Sequence, residues 1–329
     1  MPEPTSRPAP RPGQERRVAD AAETPLHEVG VLDTTAPPES QWKEAWKQLR
    51  RNPIFLVAAT LLAFLAVVIA FPGLFTNQSP TFCQPGKIIG GAEPGHPLGY
   101  DRAGCDLLSR TVYGARASVA VGVLTTVVVA VVGMLVGSVA GFYGGWVDAV
   151  LSRVSDIFYA IPLLLAALVG LSVIRNLFPD RGFFSGVTSV VVVLALFGWP
   201  QIARITRGAV LETKNMEFID AARAIGATPR RNLVRHVVPN SLAPVIVVST
   251  VSLGVFIVAE ATLSFLGVGL PFGVVSWGAD IASAQPQVRS GVRIGVMLWP
   301  AGALLVTVLS FILLGDAVRD ALDPKARKR

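Results

Sequence analysis

Charge is what this sequence has least of. Only 16% of its 329 residues are Asp, Glu, Lys or Arg, against roughly 25% in an ordinary soluble domain. Histidine is scarcer still, with His27, His96 and His236 scattered along the chain, and there are two cysteines, Cys83 and Cys105. Donors so few and so dispersed match no metal-ligand spacing, so no metal site is expected. There is no Gly-x-x-x-x-Gly-Lys-[Ser/Thr] phosphate loop, which argues against ATP binding or hydrolysis by this chain. His-Glu-x-x-His, Gly-x-Ser-x-Gly and paired catalytic acids are missing too, and with them any basis for reading an enzyme.

What fills the space is apolar. Hydrophobic residues make up 52% of the chain and mean hydropathy is +0.55. The few charges bunch together and leave long charge-free windows. One runs from Ile54 to Phe71; the others lie between Arg116 and Asp148, Asp156 and Arg175, Arg181 and Arg204, Arg235 and Glu260, and Arg293 and Asp316. A helix of about 20 apolar residues crosses the ~30 Å hydrocarbon core and satisfies its own backbone polar groups. Six transmembrane helices are expected, in an all-α polytopic membrane protein with a span region of 54–324. A seventh window, Glu260 to Asp280, carries Gly267, Gly269, Pro271, Gly273 and Gly278. That density of breakers suits the end of span 5 running into an external or re-entrant turn. Pro162, Pro200 and Pro300 fall inside spans 3, 4 and 6, where proline kinks helices and frees carbonyls.

Lys and Arg set the orientation. With the N-terminus inside, cytoplasmic segments hold eight before residue 54, one at Arg153, seven from Arg204 to Arg235 and five from Arg319 onward, out of 29 in all. Both ends are therefore expected in the cytoplasm, at the cytoplasmic membrane. The net charge of +7 then reflects topology and lipid contact, not nucleic-acid binding. No signal peptide is read before the first span. Residues 1–40 are polar and proline-rich and are expected to be disordered. In 41–53, Trp42, Trp46, Lys43, Lys47, Arg50 and Arg51 suit a short helix at the lipid interface. Residues 325–329 form a basic tail.

Both cysteines fall in the longest external loop, 73–117, on the oxidising side. They can pair with each other, remain two thiols, or join His96 at a metal. Asp106, Arg110 and Tyr113 have helical spacing and lead into span 2. Two acids sit near span ends. Asp156 is expected to pair with Arg153 on the same helical face. Glu260 reads equally as a pathway or gate residue and as a helix-end carboxylate with a partner.

The loop 215–240 has the punctuation of a folded object. Phe218, Ala221, Ala222 and Ile225 occupy one helical face, which is expected to be exposed. Gly226 stands where a left-handed terminating residue belongs. Thr228 is placed to cap a second short helix that begins at Pro229 and carries Arg230, Arg231 and Arg235; Pro239 is expected to stop it. Positive-inside topology accounts for the arginines, but it does not require a small-residue face or a hinge glycine.

This segment resembles the signature cytoplasmic loop of ABC importer permeases: an acid-Ala-Ala triplet, three residues, Gly, nine residues, then Ile-x-Leu-Pro. Asp220, Ala221 and Ala222 match the triplet, with Asp in place of Glu. Gly226 matches the glycine, His236 stands at the isoleucine, Val238 at the leucine and Pro239 at the proline. "EFIDAARAIGA", "GYDRAGCDLLSRTVYGARAS", "GGWVDAVLSRVSD", "EATLSFLGVGL" and "LLGDAVRDALDP" extend the resemblance to roughly Trp42 through Pro324. They point to the second membrane subunit of the dipeptide/oligopeptide/nickel branch. Tyr100 and Cys105 depart from that pattern, where Thr and Arg are usual.

The resemblance implies a type I importer permease working by alternating access. Its partners would be a second homologous permease in a heterodimer, two ATPase subunits that bind the ATP and Mg, and an extracytoplasmic binding protein delivering a peptide-type solute. The same branch also handles nickel, glutathione and haem. Glu217, Phe218, Asp220, Ala221, Ala222, Arg223, Gly226, Arg230, Arg235, His236 and Pro239 would form the ATPase-coupling loop. A stand-alone secondary transporter or channel would call for ion-coupling acids within spans or an internal repeat, and no clear repeat is visible.

Overall fold

A computed structural model describes residues 41–177, 182–291 and 293–322. The tails 1–40 and 325–329 lie outside the described residues. Among those described, regular structure is helical, and the long loop before the second span adds only isolated β-bridges.

The chain opens with α1 (Gln41–Leu49), which buries Ala45 and packs on the last helix. Asn52 then caps α2 (Pro53–Ala70): its Oδ1 accepts from Ile54 N at 2.9 Å, and Pro53 needs no donor partner at the first helical position. After the loop comes α3 (Leu107–Tyr143), capped by Asp106 through Ser109 N at 2.7 Å. Its 37 residues would extend about 55 Å, well beyond a ~30 Å hydrocarbon layer.

The third apolar window is not one helix. It divides into α4 (Gly145–Ala160) and α5 (Leu163–Leu177), which meet at 83°. Pro162 is the cause. It cannot donate to the turn behind it, and it forces Ile161 out of the helical region to φ −87°, ψ 121°. The expected kink is therefore a full break. Pro200 and Pro300, in contrast, stay inside α6 (Phe183–Thr213) and α12 (Gly295–Leu322). With α10 (Leu242–Phe265) there are, among the described residues, five helices long and apolar enough to span, and six if the bent pair is counted as one span.

The largest helix contact is α3 against α6. It rests on glycines one turn apart. A Cβ at Gly133 would come within 2.8 Å of Ile202 Cβ, one at Gly141 within 2.9 Å of Arg207 O, and one at Gly137 would overlap Ala203 O. Small residues at this spacing let backbones approach closely, which is how helices adhere where burial from water contributes nothing. Val121, Leu171, Val190, Leu194 and Leu263 close the adjoining core among α3, α5, α6 and α10.

Beyond α10 the glycine-rich segment turns back and enters α11 (Trp277–Ser290), as its composition indicates. Glu260 is the bolt there, with 0% exposure. Its carboxylate accepts from Ser118 Oγ of α3 at 3.0 Å and Ser264 Oγ of α10 at 2.8 Å. Those serines also take Trp277 N and Leu270 N at 3.3 Å each. Glu260 is thus partnered by hydroxyls and joins three segments.

Two stability outcomes follow from this packing. Gly137→Ala should lower the melting temperature of the purified protein sharply, whereas Gly208→Ala, on the open side of α6, should leave it unchanged or raise it. Glu260→Gln keeps an acceptor for the serines and should melt near the parent. Glu260→Leu strands the polar partners and should cost about 1–3 kcal/mol; equal melting of the two variants would contradict the bolt.

Candidate functional site

At the end of α6 the chain leaves the bundle and folds into two short helices. The first, α7 (Glu217–Ala224), ends at Gly226, whose φ of 87° suits glycine. Ala227 N–H reaches back to Ala222 O at 3.0 Å, the six-to-one bond of a Schellman turn. Thr228 Oγ1 then accepts from Arg231 N at 3.4 Å, and Pro229 starts α8 (Pro229–Asn232). These features match the local reading of the sequence.

Pro239 does not. The helical path continues through a π turn at Leu233–Val237 and α9 (Val238–Asn240), with Pro239 inside it, and reaches α10 after Ser241. A π turn widens the hydrogen-bond ladder, so the missing proline donor does not end the helix.

The apolar face also differs from its expected form. Ala222 is only 8% exposed, while Phe218, Ala221 and Ile225 face outward, Ile225 at 88%. Ile219, which the sequence reading passed over, is the true anchor. It packs with Val210, Leu233, Val237 and Phe142. The signal was present as Ile219 and Ala222 at i, i+3, but it competed with the equally periodic Phe218, Ala221 and Ile225. Glu217, Arg230, Arg235 and Pro239 are exposed and His236 is half-buried. Arg223 pairs with Asp220 at 2.9 Å within the same helix, a contact of small energetic weight in solvent.

The anchorage behind α7 is stronger. Ser241 Oγ donates to Thr213 Oγ1 at 3.1 Å, tying the start of α10 to the end of α6. Lys214 Nζ donates to Gly141 O at 2.7 Å. Arg207 grips Asp148 of α4 through two nitrogens at 2.5 and 2.6 Å. Asp156 pairs across to Arg204 at 3.2 Å, not along its helix to Arg153, and Arg204 also lies over the Tyr159 ring at 4.4 Å.

At the other end of the bundle, Cys83 and Cys105 are joined by a disulfide, which takes both sulfurs away from any ligand set with His96. His96 Nδ1 lies 2.8 Å from Asp106. The two departures from the family pattern have local work to do. Cys105 makes the bridge, and Tyr100 fills the loop core at 1% exposure while its hydroxyl donates to Glu93 at 2.5 Å. Lys87 and Tyr100 hold the Glu93 carboxyl below its usual range, and burial together with Glu93 pushes Tyr100 up to about 12. Arg110 bridges Asp101 at 3.2 Å and Asp280 of α11. Burial pushes Asp280 up to about 6 against the pull of Arg110. Arg175, at the end of α5, donates to Gly267 O and Gly269 O at 3.0 Å and to Leu270 O at 3.2 Å, fixing the turn after α10.

Comparison with known proteins gives this geometry its context. Residues 133–328 match the binding-protein-dependent transport system inner membrane component family, and residues 40–87 match the N-terminal transmembrane domain of oligopeptide transport permease C. The glutathione transport system permease protein of Pectobacterium atrosepticum is 34% identical over 87% of this chain and 92% of its own. The dipeptide transport system permease protein of Alkalihalophilus pseudofirmus is 33% identical over 88% and 94%. The oligopeptide transport system permease protein of Bacillus subtilis is 32% identical over 88% and 91%. Among solved structures, an inward-facing methionine ABC transporter shares the fold, with a TM-score of 0.54 and 22% identity over 65% of this chain and 96% of that chain. A helix pair standing out from an apolar bundle that lacks any phosphate loop is the form a non-catalytic subunit of an ATP-driven importer takes, and this chain belongs to the family of binding-protein-dependent transport inner membrane components as one of its permease subunits.

Proposed function

We propose that this permease moves peptide-type solutes inward as one half of a heterodimer with a second homologous permease. Two ATPase subunits, which bind the ATP and Mg, drive it, and an extracytoplasmic binding protein supplies it. The Lys/Arg distribution supports placing α7, α8 and both chain ends in the cytoplasm and the disulfide loop outside. The dipeptide, oligopeptide and glutathione permeases among its relatives support a solute with a peptide backbone.

The observation that carries the coupling role is a combination at α7. Its outer surface presents Phe218, Ala221 and Ile225, and Val234 is exposed near them in sequence, while Ala222 is buried and Ile219 locks the same short helix to α6 and the π turn. An exposed apolar face on a rigid mount is what a docking helix needs. A floppy loop could bind a partner but could not pass its movement on to the spans. The ATPase acts through differential contact with two conformations of this mount, since a partner shifts an equilibrium only by the difference in its affinity for the two states. Glu217, Asp220, Arg223, Arg230, Arg235 and His236 form the polar rim, and Gly226 and Pro239 set the path of the backbone.

Ile225→Glu alters only the exposed face and should leave insertion and melting unchanged. It should reduce ATPase co-purification and ATP-driven uptake at least tenfold, about the effect of losing an apolar hot spot. Gly226→Leu meets no atom within 4 Å of its new Cβ, so its effect is conformational: the left-handed residue resists, the second helix is re-aimed, and uptake should fall while the protein still inserts. Full uptake with both variants in reconstituted vesicles would sink the coupling assignment.

A further inference from the structure

The disulfide end encloses a cavity of about 950 Å³, at the upper end of the ~300–1,000 Å³ that small-molecule sites occupy. Its walls come from the disulfide turn, the end of α5, the start of α6, the turn after α10, and α11. Ile174, Pro271, Val274 and Phe272 supply apolar surface, and Phe272 is 99% exposed. Three guanidinium groups line it: Arg102, Arg110 and Arg175.

Their states differ. Arg110 is spent on Asp101 and Asp280, and Arg175 on three carbonyls of the turn. Arg102 is exposed and has no hydrogen-bond or ion-pair partner among the described residues. Among the described residues the one lining carboxylate is already saturated: Asp101 accepts from Ala103 N and Cys105 N at 2.8 Å each and faces Arg110. Among them the cavity therefore offers a free cation and no free anion. Arg102 is also held in place. It sits in the turn from Asp101 to Cys105, closed by Asp101 N to Cys105 O at 2.9 Å and Gly104 N to Asp101 O at 3.1 Å, and the disulfide pins that turn to Cys83.

Resting on the peptide-solute reading above, we propose that this cavity is an entry subsite on the permease itself, in which Arg102 receives the terminal carboxylate of the incoming peptide while the apolar wall receives its side chains. A guanidinium on a preformed turn is suited to a planar carboxylate, which it can meet with two parallel hydrogen bonds. Among the described lining residues the ammonium end finds no free acceptor carboxylate, so the site reads one end of the solute.

The test uses the whole assembly in vesicles with Ala282→Cys in the cavity wall. Both native cysteines are in the disulfide and do not react, so a neutral methanethiosulfonate reagent modifies position 282 alone in this chain, read by mass spectrometry. Trialanine should slow that modification at concentrations at least about fivefold below trialanine amide, the scale of one solvent-accessible charged hydrogen bond. Adding Arg102→Ala should erase the difference, and Arg102→Lys should restore part of it. Equal protection by peptide and amide, no protection by either, or equal protection by inorganic phosphate would overturn the proposal. So would an Arg102→Ala variant that keeps the discrimination and loses only stimulation by the binding protein, which would place Arg102 in docking instead. ATP-driven trialanine uptake by the parent assembly is scored separately. Its absence counts against the peptide-solute reading, whereas uptake without protection counts against the subsite alone.

Discussion

Everything at the α7 end depends on how closely α3 and α6 can approach. Gly133, Gly137 and Gly141 remove the side chains that would hold the two backbones apart, and the approach brings polar groups into reach that a wider gap would leave unpaired. Lys214 can then bond the carbonyl of Gly141, and Arg207 can hold Asp148 across the start of α4. In a lipid environment, packing and such interhelical hydrogen bonds hold helices together, because hydrocarbon surrounds the bundle as readily as it fills it. α7 hangs, through Ile219 on Val210, from the part of α6 that this seam makes stiff.

Two helices, α6 and α10, link the two ends of the molecule. At the disulfide end, Pro271 of the re-entrant turn lies against Gly186 of α6, and Glu260 of α10 binds α3. At the α7 end, α10 is tied to α6 through Ser241 and Thr213. In the coupling role proposed above, a displacement of α7 would reach α6 and α10, whose far ends form walls of the cavity; α6 has 31 residues and α10 has 24.

What could be read in the sequence was local. Gly226, Thr228 and Pro229 each act on the next few residues, and each does in space what its residue type implies. The charge-free windows likewise located the spans, because lipid imposes that requirement on one helix at a time. What could not be read depended on neighbours. Whether Ala222 faces out or in depends on Ile219 finding Val210 and Val237. Asp156 chose a partner 48 residues away. Pro162 and Pro239 show one residue type with different outcomes, a break of 83° and a helical path that runs past the proline to Asn240 behind a widened turn. The glycine seam is the exception: "GMLVGSVAG" spells its spacing openly, and composition alone gave no reason to single it out.

That widened turn at Leu233–Val237 acts as a phase adjuster. A π turn holds one more residue than an α turn, and one residue is about 100° of rotation around a helix axis. The helix before it must keep Asn232 buried, while α10 beyond it must point Val245 and Phe256 into the bundle. Without the extra residue the two requirements would be out of step, and satisfying one would swing the other toward lipid or water. The turn thus sets the angular offset between α8 and the part of the chain that lines the bundle.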